Sequence, residues 1–201
     1  MAVQSALDSN MELLERLRDT AVFELTARKL EESKATHRVT ASADIVRKYT
    51  RRAVAGGMAA ISPGTDILIQ GYLGTQMVKA LCELYQVPVK EIELNKLLDL
   101  SQKQVRTALP LLLAIAGNAA KAFPGVGTLA GGLMHAVAYG LIFDALGRAV
   151  VQTLETRGEL RPAPASLTFR DNLVDGVESR AGRLLRLALD IRKEEGDNEK
   201  K

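Results

Sequence analysis

The sequence has no tryptophan, a single cysteine, and aromatic residues at only 4% of its 201 positions. One thiol, Cys82, cannot form an intramolecular disulfide, and this cysteine usage fits a reducing compartment. Without large aromatic anchors, close packing has to come from small residues, and the chain contains 16 glycines and many alanines. This composition, in which 47% of the residues are hydrophobic, is typical of a helical protein.

The charges are close to balanced, with 27 basic and 24 acidic residues and a net charge of +3. Such a small excess says little about partners, so local clusters of charge matter more. The N-terminal stretch MELLERLRD carries charges where a signal peptide needs an apolar core, and we expect no secretory or transit peptide. A chain of 201 residues is expected to form one domain, or one domain with tails.

Motifs for nucleotide and metal chemistry are missing. The glycine-rich stretch PGVGTLAGG lacks the lysine that follows the last glycine of a phosphate-binding loop, and no strand precedes it. His37 and His135 have no cysteine or carboxylate at ligand spacing, which predicts no metal site. Cys82 has no histidine near it in sequence, so a buried thiol is expected. We therefore predict no cofactor and no metal.

Enzymes and nucleic-acid-binding proteins are the next classes to exclude. A catalytic pocket would have to be assembled from Asp66, His135 and Asp144, and Asp66 is better explained as part of a helix cap. We therefore predict that the chain is not an enzyme. Nucleic-acid binding is not expected, because only Tyr49 accompanies the basic run of residues 47–52, and no known nucleic-acid-binding module is recognisable.

Two apolar regions, each containing a Pro-Gly pair, organise the chain. Residues 122–143 form a run of 22 without formal charge, and Pro124-Gly125 lies near its start. Pro63-Gly64 lies 61 residues earlier, in a weaker copy. Proline ends a helix and glycine supplies a turn, so both pairs are predicted hairpin corners. The expected fold is all-α, with two Pro-Gly-linked apolar helical hairpins packed as a bundle and flanked by amphipathic helices.

The N-terminal region shows helical periodicity. It begins with a Ser-x-x-Glu capping box at Ser9 and continues to about Ser33 with apolar residues on one side, at Leu14, Leu17, Ala21 and Leu25. The polar stretch KATHRVTASAD then predicts a break before a second helix. The predicted domains are 1–39 (amphipathic helix and linker), 40–156 (double hairpin) and 157–201 (linker, amphipathic helix and disordered charged tail).

Further helices are predicted within and after the hairpins. Residues 67–85 and 89–104 form two of them, and a separate apolar helix has Pro110 near its start. The RPAPAS stretch is interpreted as a linker, after which Ser166 caps a final helix. Its apolar stripe consists of Leu173, Val177, Ala181, Leu184, Ala188 and Ile191. Its opposite, polar side consists of Arg180, Arg183, Asp190 and Arg192.

Small residues recur every four positions in the helix after the second corner. The resulting helix-packing seam ends in an i,i+4 ion pair and consists of Gly132, Ala136, Gly140, Asp144 and Arg148. Such seams are close-approach faces of membrane helices, and they also occur in soluble bundles rich in alanine and glycine. We expect Gly140→Leu to damage packing more than Gly158→Leu, because Gly158 lies in the predicted linker.

The location of the apolar core has two interpretations. A membrane span needs about 20 mostly apolar residues, and only residues 125–143 are long enough. Basic residues flank the bases of both hairpins, which matches the positive-inside pattern and predicts a cytoplasmic membrane protein with its termini on the cytoplasmic side. The basic cluster predicted to contact anionic headgroups consists of Arg47, Lys48, Arg51 and Arg52. The alternative is a cytoplasmic soluble bundle.

Four stretches together resemble the protein family known as domain of unknown function 697, over residues 40–151. They are SPGTD (62–66), LCELYQV (81–87), FPGVGT (123–128) and ALGRA (145–149). The chain departs from the family pattern at Gln86, where glycine is usual. The resemblance implies a membrane setting and association with an Era-like GTPase, which must be a separate polypeptide because the chain has no G-domain motif.

These observations lead to one functional expectation and one alternative. The first is a non-enzymatic, membrane-associated helical adaptor or effector that acts with a separate GTPase. Its expected partners are anionic membrane lipid and a protein such as an Era-like GTPase, with no nucleic acid. The alternative is a soluble helical scaffold that forms a homo-oligomer through the small-residue helix face.

Overall fold

The computed structural model describes residues 2–59, 65–121 and 130–198, and within them it has six α-helices and no strand. The all-α class is therefore confirmed. The predicted corners Pro63, Gly64, Pro124 and Gly125 lie outside the described residues. The helices are α1 (Ala2–Ala59), α2 (Thr65–Leu84), α3 (Glu91–Lys121), α4 (Ala130–Arg157), α5 (Pro162–Val174) and α6 (Val177–Asn198).

The chain divides into two compact units, Met1–Ala41 and Ser42–Lys201. In the second unit, α4 is the central helix and packs against α2, α3, α5 and α6. Many of its side chains are fully buried, among them Val137, Leu141 and Val150. Because α4 has so many alanines and glycines, several helices can approach its backbone at once.

The predicted break at KATHRVTASAD is wrong, because α1 is helical throughout this stretch. Polarity alone does not end a helix, and the chain has neither glycine nor proline before Gly56. The threonines of the stretch also bond within the helix. Thr36 Oγ1 donates to the Glu32 carbonyl at 2.9 Å, and Thr40 Oγ1 donates to the Thr36 carbonyl at 3.2 Å.

The two helices predicted around residues 89–121 form one helix, α3, with Pro110 in its interior. Proline removes one backbone hydrogen bond and usually kinks or ends a helix. Here Pro110 is exposed, so the carbonyl that loses its partner can bond to water. Leu112, Ala116 and Ala120 continue the buried face beyond the proline, and their packing keeps this part helical.

The C-terminal region contains two helices where one was predicted. The RPAPAS stretch is the start of α5, because proline is well suited to the first turn of a helix. Gly176 has a φ of 53°, which favours glycine, and it lies in the turn between α5 and α6. The helix α6 extends to Asn198, so the predicted disordered tail is mostly helical. The predicted apolar stripe is shared by the two helices, with Leu173 on α5 and the residues from Val177 to Ile191 on α6, and it is buried or partly buried throughout.

Candidate functional site

The small-residue face of α4 packs against residues 46–58 of α1. A Cβ atom added at Gly140 would lie 2.8 Å from Val54 Cγ2, and one added at Gly147 would lie 2.6 Å from Val46 Cγ2. On the other helix, a Cβ at Gly57 would lie 2.8 Å from the Ala136 Cα. Real Cβ atoms do not approach so closely, so these glycines allow the two backbones to come together. The contact is made within one chain.

The predicted seam does not form a single face. Four residues of an α-helix turn through about 400°, so a repeat of four drifts by about 40° per step and about 160° from Gly132 to Arg148. Gly132 is accordingly exposed, and the one described atom that a Cβ added there would meet within 4 Å is the Met58 carbonyl oxygen, at 3.7 Å. At the other end of the seam, Asp144 and Arg148 face α5 and α6.

Two close-approach glycines were missed in the sequence, Gly57 and Gly147. Gly147 follows Gly140 by seven residues, which is two turns with a drift of only about 20°. A search at a spacing of seven would therefore have found it. Gly57 lies beside Gly56 in a run of small residues, and nothing in the sequence distinguishes which of the two faces another helix.

A polar cluster joins α4, α5 and α6, with Arg180 at its centre. Only 6% of the Arg180 side chain is exposed. Its Nε lies 3.0 Å from Asp144 Oδ2, and its Nη1 donates to the carbonyls of Asn172 (2.5 Å) and Asp175 (2.7 Å). Carbonyls at a helix C-terminus lack hydrogen-bond partners within the helix. Arg180 therefore donates to the carbonyls at the end of α5 and also balances the negative charge of Asp144.

The remaining contacts of the cluster come from Arg148. Its Nε lies 3.4 Å from Asp144 Oδ2, which makes the predicted i,i+4 pair, and its Nη2 donates to the Asn172 carbonyl at 3.3 Å. Burial lowers the pKa of Arg180, and the nearby Arg148 lowers it further, whereas Asp144 opposes the shift. The assignment of Arg180 to the polar side of its helix was wrong, because the side chain is buried. The cluster fastens three helices together and contains no nucleophile or general base aimed at a cavity.

Each residue of the predicted basic cluster has a neighbour of complementary character. Arg47 pairs with Asp44 at 3.1 Å, and Arg51 pairs with Glu194 of α6 at 2.5 Å. Lys48 and Arg52 lie 5.9 Å and 5.4 Å from the centre of the Tyr49 ring, within cation–π range. All four remain exposed to solvent, so these contacts contribute little to stability and leave the cluster accessible.

The residues that a catalytic pocket would require are not brought together among those described. His135 is exposed and Asp144 pairs with two arginines, while the side chain of Asp66 lies outside the described residues. His37 is exposed on α1. Within the described residues, no group of three His, Cys, Asp or Glu side chains is placed to hold a metal ion. Cys82 is buried, and burial raises the pKa of its thiol to about 11.

The first unit presents a different surface. Its apolar residues are exposed, including Leu14 (65%), Leu17 (57%) and Leu25 (48%) of the predicted stripe. Other exposed apolar side chains lie around the same helix, and they are Met11, Leu13, Val22, Phe23, Leu30 and Val39. The ion pairs of this stretch, such as Lys34 with Glu31 at 2.8 Å, are also exposed. The apolar face of residues 10–41 is defined here as the exposed stripe of Leu14, Leu17, Ala21 and Leu25.

Comparison with known proteins identifies no relative: no protein family, curated protein or solved structure matches the chain. The resemblance to domain of unknown function 697 therefore stays a prediction.

Proposed function

We propose that this chain is a non-enzymatic helical adaptor that binds a protein partner through the apolar face of residues 10–41. One observation carries the proposal: the apolar side chains of this stretch are exposed, whereas α4 and the apolar stripe of α6 are buried in a common core. A helix gains most of its stability by packing its apolar face against another element. Contiguous exposed apolar surface is typical of interaction sites.

The spacing of this face favours a helix-binding partner. Leu14, Leu17, Ala21 and Leu25 follow one another at steps of three or four, which is the pattern of anchors that a helix inserts into an apolar groove. Leu14 and Leu17 are both more than half exposed. The complementary surface is therefore an apolar groove, or another amphipathic helix, on the partner.

The charges of this stretch favour protein over anionic lipid. Helices that lie on a membrane surface have polar faces rich in lysine and arginine. Residues 10–41 instead carry six acidic and six basic side chains. The acidic ones are Glu12, Glu15, Asp19, Glu24, Glu31 and Glu32, and the basic ones are Arg16, Arg18, Arg28, Lys29, Lys34 and Arg38.

The resemblance to domain of unknown function 697 points to a separate Era-like GTPase as the partner, and we include this identity in the proposal. A homo-oligomer held by the small-residue face of α4 has less support. Residues 46–58 of α1 cover much of that face, and Gly140 and Gly147 have no room for a second chain.

A matched pair of triple variants tests the adaptor function. The first variant replaces Leu14, Leu17 and Leu25 with Gln. The control variant makes the same replacement at Leu13, Phe23 and Leu30, which are also exposed but lie off the stripe. Affinity purification from cells should recover the same partner with the wild type and the control, and at least tenfold less of it with the first variant. Recovery that both variants reduce equally, or that neither reduces, would contradict the proposal.

Membrane association is a second candidate function, favoured by the composition of α4. Residues Gly131–Arg157 are long and apolar enough to cross a membrane, although 67% of the apolar window is buried inside the protein. On this hypothesis the chain is held at the cytoplasmic membrane by its hairpins and by the basic cluster of Arg47, Lys48, Arg51 and Arg52. Recovery without detergent, as a monodisperse helical species, would exclude it.

The basic cluster gives this second candidate a direct test. Each of its four residues should contribute roughly 1 kcal/mol of attraction to anionic lipid, and salt should screen it. Replacing all four with Gln should weaken binding to anionic vesicles and leave neutral vesicles nearly unaffected. Identical co-sedimentation of the wild type and the variant with anionic vesicles would leave the cluster without a membrane role.

A further inference from the structure

A cavity of about 260 Å³ lies between α2, α3, α4 and α5 in the second unit. Its walls are mostly apolar, and include Leu98, Val105, Phe143, Leu146 and Phe169. Packed cores normally leave few voids larger than a water molecule. The cavity is also somewhat smaller than the roughly 300–1,000 Å³ of pockets that hold drug-sized ligands. Its size therefore suits a single flexible chain.

One polar group inside the cavity has no partner. Ser101 is only 5% exposed and lines the cavity, and its Oγ makes no hydrogen bond among the described residues. Buried hydroxyl groups in helices usually donate to the carbonyl four residues earlier, as Thr153 Oγ1 does to Ala149 at 2.7 Å. Buried polar atoms are nearly always paired, so the Ser101 hydroxyl is available to a polar group inside the cavity.

A cation lies at the mouth of the same cavity. Arg106 lines it and is exposed, and no acidic side chain among the described residues pairs with it. Gln102 lies beside it on the same face of α3. The polar groups Ser101, Gln102 and Arg106 thus all lie on α3, while the apolar wall is built mainly from α3 and α4, with Phe169 contributed by α5. This arrangement is complementary to a molecule with an anionic head and an apolar tail.

We propose that this cavity binds the single acyl chain of an anionic amphiphile, with the chain against Phe143, Leu146 and Phe169 and the head at Ser101 and Arg106. The ligand could be a free fatty acid or one chain of an anionic phospholipid, because both present the same chemistry. The site is independent of residues 10–41, so the adaptor function and this site can fail separately.

Two helical glycines provide a matched pair of variants that separates filling of the cavity from general damage. A Cβ added at Gly71, which lines the cavity, would meet no atom of the described residues within 4 Å. The same holds for Gly182 on α6, which does not line it. Gly71→Leu should therefore fill the cavity without displacing any described neighbour, whereas Gly182→Leu should leave the cavity open.

Calorimetric titration with dodecanoate, below the concentration at which it forms micelles, tests the site. We expect saturable one-to-one binding to the wild type and to the Gly182→Leu variant, and at least tenfold weaker binding to the Gly71→Leu variant. Absence of saturable binding to the wild type would mean that the Ser101 hydroxyl holds only water, and would overturn the proposal. Equal binding to both variants would overturn it as well.

A second experiment varies the head group of the ligand, and it tests the proposal even if Gly71→Leu fails to fold. Dodecyltrimethylammonium has the same chain and a cationic head, so the wild type should prefer dodecanoate. Arg106→Gln should reduce this preference about three- to fivefold, the range that an exposed charge pair can supply. Lys103→Gln, which removes an exposed charge on the same helix but outside the cavity, should leave it unchanged. An unchanged preference in the Arg106 variant would overturn the assignment of the head.

A third experiment distinguishes a free fatty acid from one chain of an anionic phospholipid as the ligand. Vesicles of anionic phospholipid should protect the cavity from dodecanoate if one chain of a membrane lipid occupies it. Vesicles that do not compete identify a free fatty acid as the occupant.

Discussion

Residues 10–41 and 42–59 both belong to α1 and both carry apolar residues at helical spacing, yet their side chains have opposite environments. Leu14 and Leu17 are 65% and 57% exposed, whereas Ala53 and Val54 are fully buried. Amphipathic spacing predicts that a segment is helical and which side is apolar. It does not say what covers that side. In the second stretch the chain itself covers it, and in the first we assign this role to a partner.

Because the second unit covers its own apolar side chains, substitutions of its buried residues should lower the free energy of unfolding. We expect the largest loss at Arg180. Arg180→Met leaves Asp144 with one arginine, removes the donor to the Asp175 carbonyl and leaves the Asn172 carbonyl with Arg148 alone. Unfolding should therefore require about 3 kcal/mol less free energy. Arg183→Met is the control, because Arg183 is exposed and makes only a weak bond to Ser179 at 3.4 Å. It should change stability by less than about 0.5 kcal/mol.

Urea denaturation followed by circular dichroism measures both variants. Similar midpoints for the two would show that Arg180 does not fasten the helices together.

The next effect is expected where α1 and α4 come together. Gly140→Leu would place its side chain against Val54 and Leu184, with contacts at 2.8–3.0 Å already at the Cβ. Overpacking of this kind should destabilise the bundle by about 2 kcal/mol. Gly158→Leu is not a suitable control, because Gly158 has a φ of 66° and any other residue there is strained.

Gly182→Leu is the better control for this prediction, since a Cβ at Gly182 meets no atom within 4 Å in the part of the chain that the structure describes. It should be neutral, or should stabilise by up to about 0.8 kcal/mol through helix propensity. Equal melting temperatures for the Gly140 and Gly182 variants would count against a close approach of the two helices.

The smallest effect on stability is expected in residues 10–41. Replacing Leu14, Leu17 and Leu25 with Gln removes exposed apolar surface without opening a cavity, so the unfolding free energy of the second unit should change by less than about 0.5 kcal/mol. A scanning calorimeter can measure this for the isolated protein. A loss comparable to that of the Arg180 variant would mean that these leucines are covered within the chain, and would remove the basis for the proposed partner.

Much of the fold could be predicted from the sequence, because the strongest signals are local. The helical class follows from composition and spacing, and the period of the C-terminal apolar residues identifies the buried stripe of α6 from Val177 to Ile191. Two helix boundaries were predicted wrongly. The polar residues at 34–44 were interpreted as a helix break, and Pro110 was interpreted as the start of a new helix. At Pro110 the decisive effect is the packing of Leu112, Ala116 and Ala120, which a local pattern does not contain. At residues 34–44 the absence of glycine and proline was visible in the sequence and should have outweighed the polarity.

The contacts between helices were harder to predict. Arg180 looks like any other charged residue on the polar side of α6, and only the fold places it beside Asp144 and the end of α5. The cavity has the same origin, because Ser101, Gly71 and Phe143 come from three helices and share no motif. A single sequence contains periodicity along each helix but no direct record of which helices meet.

Site-specific photo-crosslinking in cells tests most directly whether the apolar face of residues 10–41 is a protein-binding surface. The crosslinking residue would be placed at Leu17, on the stripe, and separately at Asp19, about 200° around the same helix. We predict one discrete protein adduct from position 17 and little or none from position 19. Equal adducts from both positions, or adducts to lipid alone from position 17, would contradict the proposed function.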